Sequence, residues 1–469
     1  MSNLAVVVLA AGEGTRMRSA TPKVLHKIAG LELLGHVLAT ATSLHNDRVV
    51  CVLRHEKERI ENYVHAFYPQ VLIAEQDEIP GTGRAAEAAL DALADFDGDV
   101  LVLSGDVPLI DVESLSQLLD EHREAGNAAT LVSMHLDNPH GYGRIIRDRG
   151  DLIEIVEQKD ATATQLEIQE VNAGVYIFDS KKLGASLAEL DTNNAQGEKY
   201  LTDVIGKFIA AGQKVSARQI GDNWLVAGIN DRVQLSEVEK ELNQRIVRAW
   251  QLAGVTIVEP QSTWIDITVS LAQDVTLLPS VRLHGFTRVE TGSVIGPDST
   301  LTDCEVGQNV KLSRSDATAS KIGNGAQVGP FAFLRPGTEL GEDGKIGTFV
   351  ETKNAQIAAG AKVPHLSYVG DASIGSGSNI GAGTIFANYD GVKKHRTEIG
   401  SQVRTGSGNV FVAPVKIGDG AYTAAGSTIR RDVASGALAL NPTPQKNLAG
   451  WVLENRPGSA SAQAVTDTE

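Results

Sequence analysis

Leu9-Ala-Ala-Gly-Glu-Gly-Thr-Arg16 directly follows the uncharged apolar run Leu4–Leu9, and run and loop together decide how the N-terminal part of the chain folds. An apolar run without charges predicts a strand buried on both faces, as in the parallel sheet of an α/β domain. Gly12 and Gly14 allow a sharp turn that brings backbone N–H groups close to a ligand. With the guanidinium of Arg16, the loop suits a polyphosphate. An ordinary strand–turn is an equally good interpretation of Gly-x-Gly alone.

The composition limits the partners of the chain. Its 469 residues allow two or more domains, and 42 Lys+Arg against 58 Asp+Glu give a formal net charge of -16. This acidic balance argues against binding to nucleic acid or to an anionic membrane. Cys51 and Cys304 form no metal-binding spacing and no disulfide framework, which predicts a cytoplasmic protein. The N-terminal run is a poor match to a signal peptide, and no stretch reaches the roughly 18 apolar residues of a membrane span.

Apolar strands alternate with helical stretches from residue 1 to about 228. Arg48–Leu53 and Asp99–Leu103 are predicted strands, and the alanine-rich stretch Thr82–Leu93 between them is a predicted helix. This alternation predicts an open βαβ sheet, in which ligands lie beyond the carboxyl ends of the strands. The glycine loop and Asp106 each follow such an end, so we expect them to face one crevice.

The pattern becomes helical over residues 229–252. Leu235, Val238, Leu242 and Ile246 recur at three- and four-residue steps with charges between them. We therefore expect a linker helix that packs on a neighbouring surface. A rigid spacer is favoured over a ligand-binding role.

The glycine-rich C-terminal half has a six-residue repeat. Of the 47 glycines, 26 lie within residues 254–440, and aliphatic residues recur every six positions at Ile322, Val328, Leu334, Leu340 and Ile346. Short strands separated by tight turns explain a step of six, whereas a helix does not. The pattern predicts a parallel β-helix of hexapeptide repeats over residues 253–440. Asn388–Thr397 breaks the rhythm and is predicted to project as a loop, and residues 441–469 are predicted to form a partly disordered tail.

The order of these elements resembles one family, the bacterial bifunctional UDP-N-acetylglucosamine pyrophosphorylase/glucosamine-1-phosphate N-acetyltransferases. The resemblance covers the chain to about residue 445. Besides the glycine loop, it is carried by Pro22-Lys-Val-Leu-His26, Gly81-Thr-Gly83, Gly105-Asp-Val-Pro108, Gly141-Tyr-Gly-Arg144, Asn194-Ala-Gln-Gly197, Pro364-His-Leu-Ser-Tyr368, Asn379-Ile-Gly-Ala382 and Asn388-Tyr-Asp-Gly391. It implies an α/β fold with a Rossmann-like nucleotidyltransferase domain over residues 1–228, followed by a left-handed parallel β-helix.

Two reactions are implied by the resemblance. The C-terminal domain would transfer acetyl from acetyl-CoA to glucosamine 1-phosphate. The N-terminal domain would then transfer uridylyl from UTP to N-acetylglucosamine 1-phosphate and release pyrophosphate. The attacking phosphate is already ionised, so this second step needs charge neutralisation and in-line positioning, not a general base.

The resemblance assigns the N-terminal site residues. Substrate contacts fall on Leu9, Ala10, Ala11, Gly12, Lys23, Gln76, Gly81, Thr82, Ser104, Gly105, Asp106, Gly143, Glu157, Asn172 and Asn230. Asp106 and Asn230 would also bind Mg²⁺, and Arg16 and Lys23 would neutralise charge during uridylyl transfer. Outside this motif set, Asp106 is more often a solvated turn residue and Asn230 a helix N-cap. Ser104 and Arg84 replace the Tyr and His that are common in the family.

The resemblance also assigns the β-helix site. His365 would be the general base that takes a proton from the substrate ammonium, although an isolated His is more often structural. The backbone of Ala382 would contact the oxyanion. Arg335, Lys353, Tyr368 and Asn379 match contacts to the sugar phosphate, and Ala382, Asn388, Tyr389, Ser407 and Ala425 match contacts to acetyl-CoA. Asn441-Pro442 stands where an Arg is usual, so that Lys446 or Arg430 would contact the CoA phosphates instead.

The resemblance further implies a homotrimer built through the β-helix, with small-molecule substrates and no nucleic-acid or membrane partner. Two alternatives stay open at this point. One is a plain sugar-nucleotide pyrophosphorylase with a regulatory β-helix, against which the set of His365, Arg335 and Lys353 argues. The other is a non-catalytic subunit that kept both folds, which the retention of Arg16, Lys23 and Asp106 disfavours.

Overall fold

The computed structural model describes residues 3–441 and 445–467, which form two compact units. The first unit runs to Ser270 and takes in Arg282–Phe286. The second holds Leu271–Val281 together with the chain from Thr287. In the described residues, no helix combines the length and apolar character needed to cross a bilayer.

The first unit alternates strands and helices, as predicted. The strands are β1 (Asn3–Leu9), β2 (Lys27–Ile28), β3 (Leu31–Glu32), β4 (Arg48–Leu53), β5 (Leu72–Glu75), β6 (Gly98–Ser104), β7 (Ala129–His135), β8 (Arg144–Asp148), β9 (Asp151–Val156), β10 (Glu170–Asp179) and β11 (Val215–Gln219). The helices are α1 (Leu33–Ser43), α2 (Lys57–Phe67), α3 (Thr82–Asp91), α4 (Val112–Ala125), α5 (Ala163–Leu166), α6 (Ser180–Ala188), α7 (Asp203–Ala210) and α8 (Arg232–Leu252). Short strands β12 (Thr256–Ile257), β13 (Trp264–Ile265), β14 (Ser270–Leu271) and β16 (Val281–His284) lie at its end.

Nine strands form one mixed sheet, ordered β11-β7-β10-β6-β1-β4-β5, with β8 beside β10 and β9 beside β8. Successive side chains of β1 enter opposite clusters, Val6 and Val8 on one face and Ala5 and Val7 on the other, which confirms a strand buried on both faces. β10 runs antiparallel to both β6 and β7, a reversal that the alternating pattern does not predict. Val175 and Ile177 of β10 enter one of the two clusters and Tyr176 and Phe178 the other, so this antiparallel strand is also buried on both faces and has the same apolar pattern as a parallel one.

The register of the central strands places the functional loops. Leu9 lies opposite both Val52 and Ser104, and the N–H of Gly105 donates to Leu9 O at 2.9 Å. The carboxyl ends of β1, β4 and β6 are therefore level. The glycine loop after β1 and Asp106 after β6 begin at the same edge of the sheet, as expected.

Helix α8 confirms the predicted helical pattern. Val238, Leu242 and Val247 are buried. Asp231 is its N-cap, and its carboxylate accepts from the N–H groups of Val233 and Gln234. The capping role considered for Asn230 thus belongs to the next residue, and the Asn230 side chain is available for other contacts.

The second unit is a parallel β-helix. Its strands are β15 (Thr276–Leu277), β17 (Arg288–Val289), β18 (Val294–Ile295), β19 (Ser299–Thr302), β20 (Glu305–Val306), β21 (Lys311–Leu312), β22 (Asp316–Thr318), β23 (Lys321–Ile322), β24 (Gln327–Val328), β25 (Phe333–Leu334), β26 (Glu339–Leu340), β27 (Lys345–Thr348), β28 (Glu351–Ile357), β29 (Lys362–His365), β30 (Tyr368–Ile374), β31 (Ile385–Ala387), β32 (Thr397–Ile399), β33 (Arg404–Thr405), β34 (Val410–Val412), β35 (Val415–Ile417), β36 (Tyr422–Thr423), β37 (Thr428–Ile429) and β38 (Leu438–Ala439). Along one face, partners step from Val294 to Lys311, Gln327, Lys345 and Lys362, about three hexapeptides per coil. The left-handed sense stays a prediction.

The hexapeptide aliphatics form the core of the coils. Ile322, Val328, Leu334, Leu340 and Ile346 are all buried, as the repeat predicts. The predicted loop leaves the coil over residues 388–396, where Tyr389 pairs with Lys394, and Thr397, predicted as its last residue, is instead the first residue of β32.

The tail contains two short helices, α9 (Trp451–Asn455) and α10 (Ala460–Thr466), within the segment for which partial disorder is predicted. Pro442 and residues 468–469, on which part of the tail prediction rests, lie outside the described residues.

Candidate functional site

A crevice of about 370 Å³ opens at the carboxyl edge of the first unit's sheet. Its lining includes most of the predicted nucleotide contacts, namely Leu9, Ala10, Ala11, Gly12, Lys23, Gln76, Gly81, Thr82, Ser104 and Asp106. It also includes residues that the sequence did not single out, among them Arg54, His55 and Glu198. The structure thus assembles the predicted loops from three strand ends around one cavity.

The glycine loop holds Lys23 in this crevice. Gly14 adopts φ 67°, and a Cβ on it would lie 2.6 Å from Lys23 Cβ, so both the backbone angle and the close contact require glycine. Thr15–Met17 then forms a single 3₁₀ turn that presents Arg16. At Gly12, no described heavy atom lies within 4 Å of a Cβ position, which leaves the backbone of the loop open to a ligand.

Four predicted residues meet at one side of the crevice. The Lys23 ammonium forms an ion pair with Asp106 and lies 3.4 Å from Asn230 Oδ1. Arg16 Nη2 donates to the same Asn230 oxygen at 2.8 Å. Residues far apart in the chain therefore bring two cations and two oxygen ligands together. This is the charge arrangement that a polyphosphate with a divalent cation needs.

The donor set at this point fits Mg²⁺. Asp106 and Asn230 offer a carboxylate and an amide oxygen, the hard ligands that Mg²⁺ prefers, and both already contact one positive group, the Lys23 ammonium. Among the described residues, no group of three or more His, Cys, Asp or Glu side chains is placed to hold a metal ion. A site with few protein ligands is typical of Mg²⁺ bound mainly through water and substrate phosphates.

Gln76 and Gly81 form the opposite wall of the crevice. Gln76 is buried, and its Nε2 donates to the carbonyls of Ile79 and Gly81 at 2.8 and 3.1 Å. These bonds fix the side-chain amide, so that Gln76 Oε1 can accept a hydrogen bond from a ligand. Gly81 adopts φ 117°, and a Cβ there would lie 2.2 Å from Lys199 O. The wall is therefore shaped by backbone contact that only glycine permits.

Gly143, Glu157 and Asn172, predicted sugar contacts, also lie together. The N–H of Asn172 donates to Gly143 O at 2.9 Å, and a Cβ on Gly143 would lie 3.3 Å from Glu157 Oε1. Thr202 Oγ1 donates to the same Glu157 oxygen at 3.1 Å. Burial raises the pKa of Glu157, and the nearby carboxylates of Asp203, Asp160 and Glu198 add to the shift.

In the second unit, the predicted base and the acetyl-CoA contacts form one ladder. The N–H of Gly383 donates to His365 O, that of Gly408 to Ala382 O, and that of Gly426 to Ser407 O. This repeated contact places His365, Ala382, Ser407 and Ala425 at equivalent positions of successive coils, about 4.8 Å apart. This stacking on one edge of the β-helix is consistent with the prediction that these four residues belong to one site.

Beside this ladder is a cluster of cations. Arg335, Lys353 and Gly370 occupy equivalent positions on successive coils. Lys394, from the projecting loop, lowers the pKa of Lys353 through a side-chain hydrogen bond and through its charge, and burial and the charge of Arg335 lower it further. Arg335 Nη1 also donates to Glu351 at 2.9 Å. Such crowding of positive charge favours binding of an anion.

Asp371 connects these cations to Asn388 and Tyr368. Asn388 Nδ2 donates to Asp371 Oδ2 at 2.5 Å and lies 3.5 Å from Tyr368 Oη. Burial favours a higher pKa for Asp371, but hydrogen bonds from Asn354 and Asn388 and the charge of Lys353 lower it overall. Asp371 therefore stays anionic among the lysines and orients the Asn388 amide.

The remaining predicted residues are placed as follows. Asn379 pairs with Lys362 and Arg404 on the row of strands that carries His365, and Tyr389 is exposed on the loop. Arg84 is held by Asp77 and Glu87 outside the lining of the crevice, so its difference from the family His does not alter that lining. Lys394, Asp371 and Glu198 were missed, since isolated charged residues carry no local sequence signal.

Comparison with known proteins decides the family. Residues 5–267 match the family model described as Nucleotidyl transferase. The protein named Bifunctional protein GlmU from Clavibacter sepedonicus is 56% identical over 99% of this chain and 95% of its own length. Proteins of that name from Leifsonia xyli subsp. xyli and Kineococcus radiotolerans are 57% and 56% identical, over 99% and 98% of this chain and 96% and 94% of their own lengths.

The chain belongs to the GlmU family. This membership confirms the predicted bifunctional transferase for UDP-N-acetylglucosamine synthesis, with its nucleotidyl transferase domain on the N-terminal side. It also confirms the predicted order of folds, because a mixed-sheet nucleotidyl transferase unit precedes a parallel β-helix. The alternative of a non-catalytic subunit is thereby excluded.

Proposed function

We propose that the crevice transfers the uridylyl group of UTP to N-acetylglucosamine 1-phosphate, and that the β-helix ladder acetylates glucosamine 1-phosphate with acetyl-CoA. The observation that carries this assignment is the presence of two separately assembled sites on one chain. One joins Arg16 and Lys23 to Asp106, and the other aligns His365 with Ala382. Each set has the residue types that its reaction requires.

Uridylyl transfer is proposed to proceed by attack of a sugar-phosphate oxygen on the α-phosphorus, with pyrophosphate as the leaving group. Lys23 and Arg16 would neutralise the charge that develops on the phosphates. Asp106 and Asn230 would hold Mg²⁺, which when bound supplies further charge neutralisation. Gly143, Glu157 and Asn172 would orient the sugar, as the resemblance assigns them.

In acetyl transfer, His365 would take a proton from the substrate ammonium and so expose the nitrogen lone pair. The amine then attacks the thioester carbonyl, and the Ala382 N–H stabilises the oxyanion. When the intermediate collapses, the C–S bond breaks and the nitrogen gives up a second proton to solvent as the amide forms. CoA then leaves as the thiol after its sulfur takes the proton from the His365 imidazolium. Arg335 and Lys353 would hold the sugar phosphate, an assignment that the local excess of positive charge supports.

We further propose a cytoplasmic homotrimer assembled through the β-helix. The exposed rings of Phe331 and Phe349 stack at 5.4 Å on successive coils, and exposed Leu366 follows them on the next. The two rings remain 53% and 58% exposed. An apolar ridge of this kind is typical of a surface that packs against another chain. Leu366 directly follows His365 in the chain, which supports an acetyl-transfer site close to a subunit boundary.

A coupled assay tests the proposal. Purified protein is given glucosamine 1-phosphate, acetyl-CoA, UTP and Mg²⁺, each omitted in turn, and free CoA thiol and pyrophosphate are measured separately. We expect thiol without UTP, and pyrophosphate only once acetylated sugar phosphate is present. Pyrophosphate release with another sugar phosphate and no thiol under any condition would instead support a pyrophosphorylase with a regulatory β-helix.

A further inference from the structure

Arg144 is an arginine side chain enclosed in the first unit. Only 1% of it is exposed, and it is absent from the ion pairs formed by the described residues. Arginine keeps its charge in proteins, and a buried charge without a carboxylate partner is costly unless its donors are satisfied. Its Nε has no hydrogen-bond partner among the described atoms. A side chain kept at such a cost calls for a specific role.

The two Nη atoms of Arg144 donate to the loop that contains Tyr142 and to the residues Gln158 and Leu166 packed beside it. Nη1 donates to Tyr142 O, and Nη2 donates to Gln158 Oε1 at 2.8 Å and lies 3.5 Å from Leu166 O. Gln158 Oε1 also accepts from the N–H of Gly141 at 3.1 Å. The guanidinium and the Gln158 amide therefore hold the N–H of Gly141 and the carbonyl of Tyr142, the two outer backbone groups of this dipeptide.

This loop leads directly to the sugar-contact cluster. Gly143 follows Tyr142, and its carbonyl accepts from the N–H of Asn172. A Cβ added at Gly143 would lie 3.3 Å from Glu157 Oε1, so the glycine faces this carboxylate. Gln158, which Arg144 holds, is the neighbour of Glu157 in the chain. The Arg144 guanidinium thus connects the two segments that bear Gly143 and Glu157.

We propose that Arg144 is a positioning residue for the sugar of N-acetylglucosamine 1-phosphate, acting through the Gly141–Gly143 loop and Gln158. The inference rests on the proposed function, which assigns Gly143, Glu157 and Asn172 to that sugar. Among the described residues, the hydrogen bonds of the Arg144 guanidinium go to Tyr142, Gln158 and Leu166, none of which lines the nucleotide crevice, so we expect its effect to be specific to the sugar phosphate.

Steady-state kinetics of pyrophosphate release test the proposal, with N-acetylglucosamine 1-phosphate and UTP varied separately. For Arg144→Met we expect KM for the sugar phosphate to rise about tenfold, the fold-change that corresponds to about one lost hydrogen bond. KM for UTP and the rate of thiol release from acetyl-CoA should stay unchanged. Arg147→Met, an exposed position on the same strand, is the matched control and should change neither KM.

Gln158→Met is the second variant, because it leaves the buried guanidinium in place while releasing Gly141. It should raise KM for the sugar phosphate selectively, and Arg144→Lys should give an intermediate value since an ammonium lacks the planar fork with which arginine reaches two separate acceptors. Equal rises in both KM values, or an unchanged sugar-phosphate KM in Gln158→Met, would overturn the proposal, even if Arg144→Met fails to fold. A wild-type enzyme that releases no pyrophosphate with this substrate pair would instead refute the proposed function.

Discussion

Lys23 and Asp106 are 83 residues apart in the chain, yet the ammonium of one forms an ion pair with the carboxylate of the other. Lys23 comes from the loop after β1, and Asp106 follows β6. Parallel pairing of these strands in level register creates the contact. Both side chains are mostly buried, so the pair is shielded from solvent screening more than a surface salt bridge is.

Replacement of Lys23 tests the cationic role. We expect Lys23→Met to lower kcat/KM for uridylyl transfer about 10²- to 10³-fold, because a positioned charge is lost where negative charge develops. Thiol release from acetyl-CoA should be unaffected. Lys57→Met, at an exposed ion pair with Glu75, is the control. Equal activity of Lys23→Met and Lys57→Met in pyrophosphate release would contradict the role of Lys23.

The metal dependence of the two reactions should differ. A chelator is expected to abolish pyrophosphate release and to spare thiol release, since the proposed Mg²⁺ ligands Asp106 and Asn230 lie beside Lys23 in the first unit. Asp106→Asn should raise the Mg²⁺ concentration needed for half-maximal uridylyl transfer, as an amide binds Mg²⁺ less strongly than a carboxylate. A Mg²⁺ titration curve identical to that of the wild type would remove Asp106 as a ligand.

His365→Gln is expected to slow acetyl transfer about 10²- to 10⁴-fold, the usual contribution of general base catalysis. Uridylyl transfer from supplied N-acetylglucosamine 1-phosphate should continue at the wild-type rate. That result would also show that the variant is folded. His45→Gln, at an exposed position of the first unit, is a matched control. If His365→Gln acetylates at an unchanged rate, another group takes the proton.

The buried carboxyl of Glu157 predicts a pH-dependent stability. Burial raises its folded-state pKa, so this group contributes stability below its unfolded pKa that is lost as the pH rises through the folded-state value. At neutral pH Glu157→Gln should therefore raise the Tm of the first unit, by about 2–4 °C for each kcal/mol gained. The difference should shrink as the pH falls towards 4.

Thermal unfolding at several pH values checks this prediction, with Glu154→Gln, at an exposed position of the strand β9 that ends just before Glu157, as the control. The same substitution at Glu157 should raise KM for the sugar phosphate, because an amide is a weaker acceptor than a carboxylate. If the Tm of Glu157→Gln is instead below that of the wild type at neutral pH, and the difference does not change with pH, the Thr202 hydrogen bond outweighs the cost of burying the carboxylate.

Local pattern predicted the features that repeat along the chain. The period of six from Ile322 to Ile346 predicted the β-helix and its core, and the uncharged run before Leu9 predicted the central strand. Lys394 could not be found in this way, and Arg144 was identified only as the last residue of a motif, without a role of its own. The role of each charged side chain depends on neighbours from other segments, and no periodicity marks it.

The sequence by itself determined which segments become strands, coils and helices, because hydrophobic periodicity and glycine positions are local properties. It also carried the motifs that indicated the family. Only the tertiary structure decided that Asp231 and not Asn230 caps α8, that β10 enters the sheet antiparallel, and that His365, Ala382, Ser407 and Ala425 form one ladder. Those outcomes depend on pairing register and on contacts between distant segments, where burial and charge act through space and not along the chain.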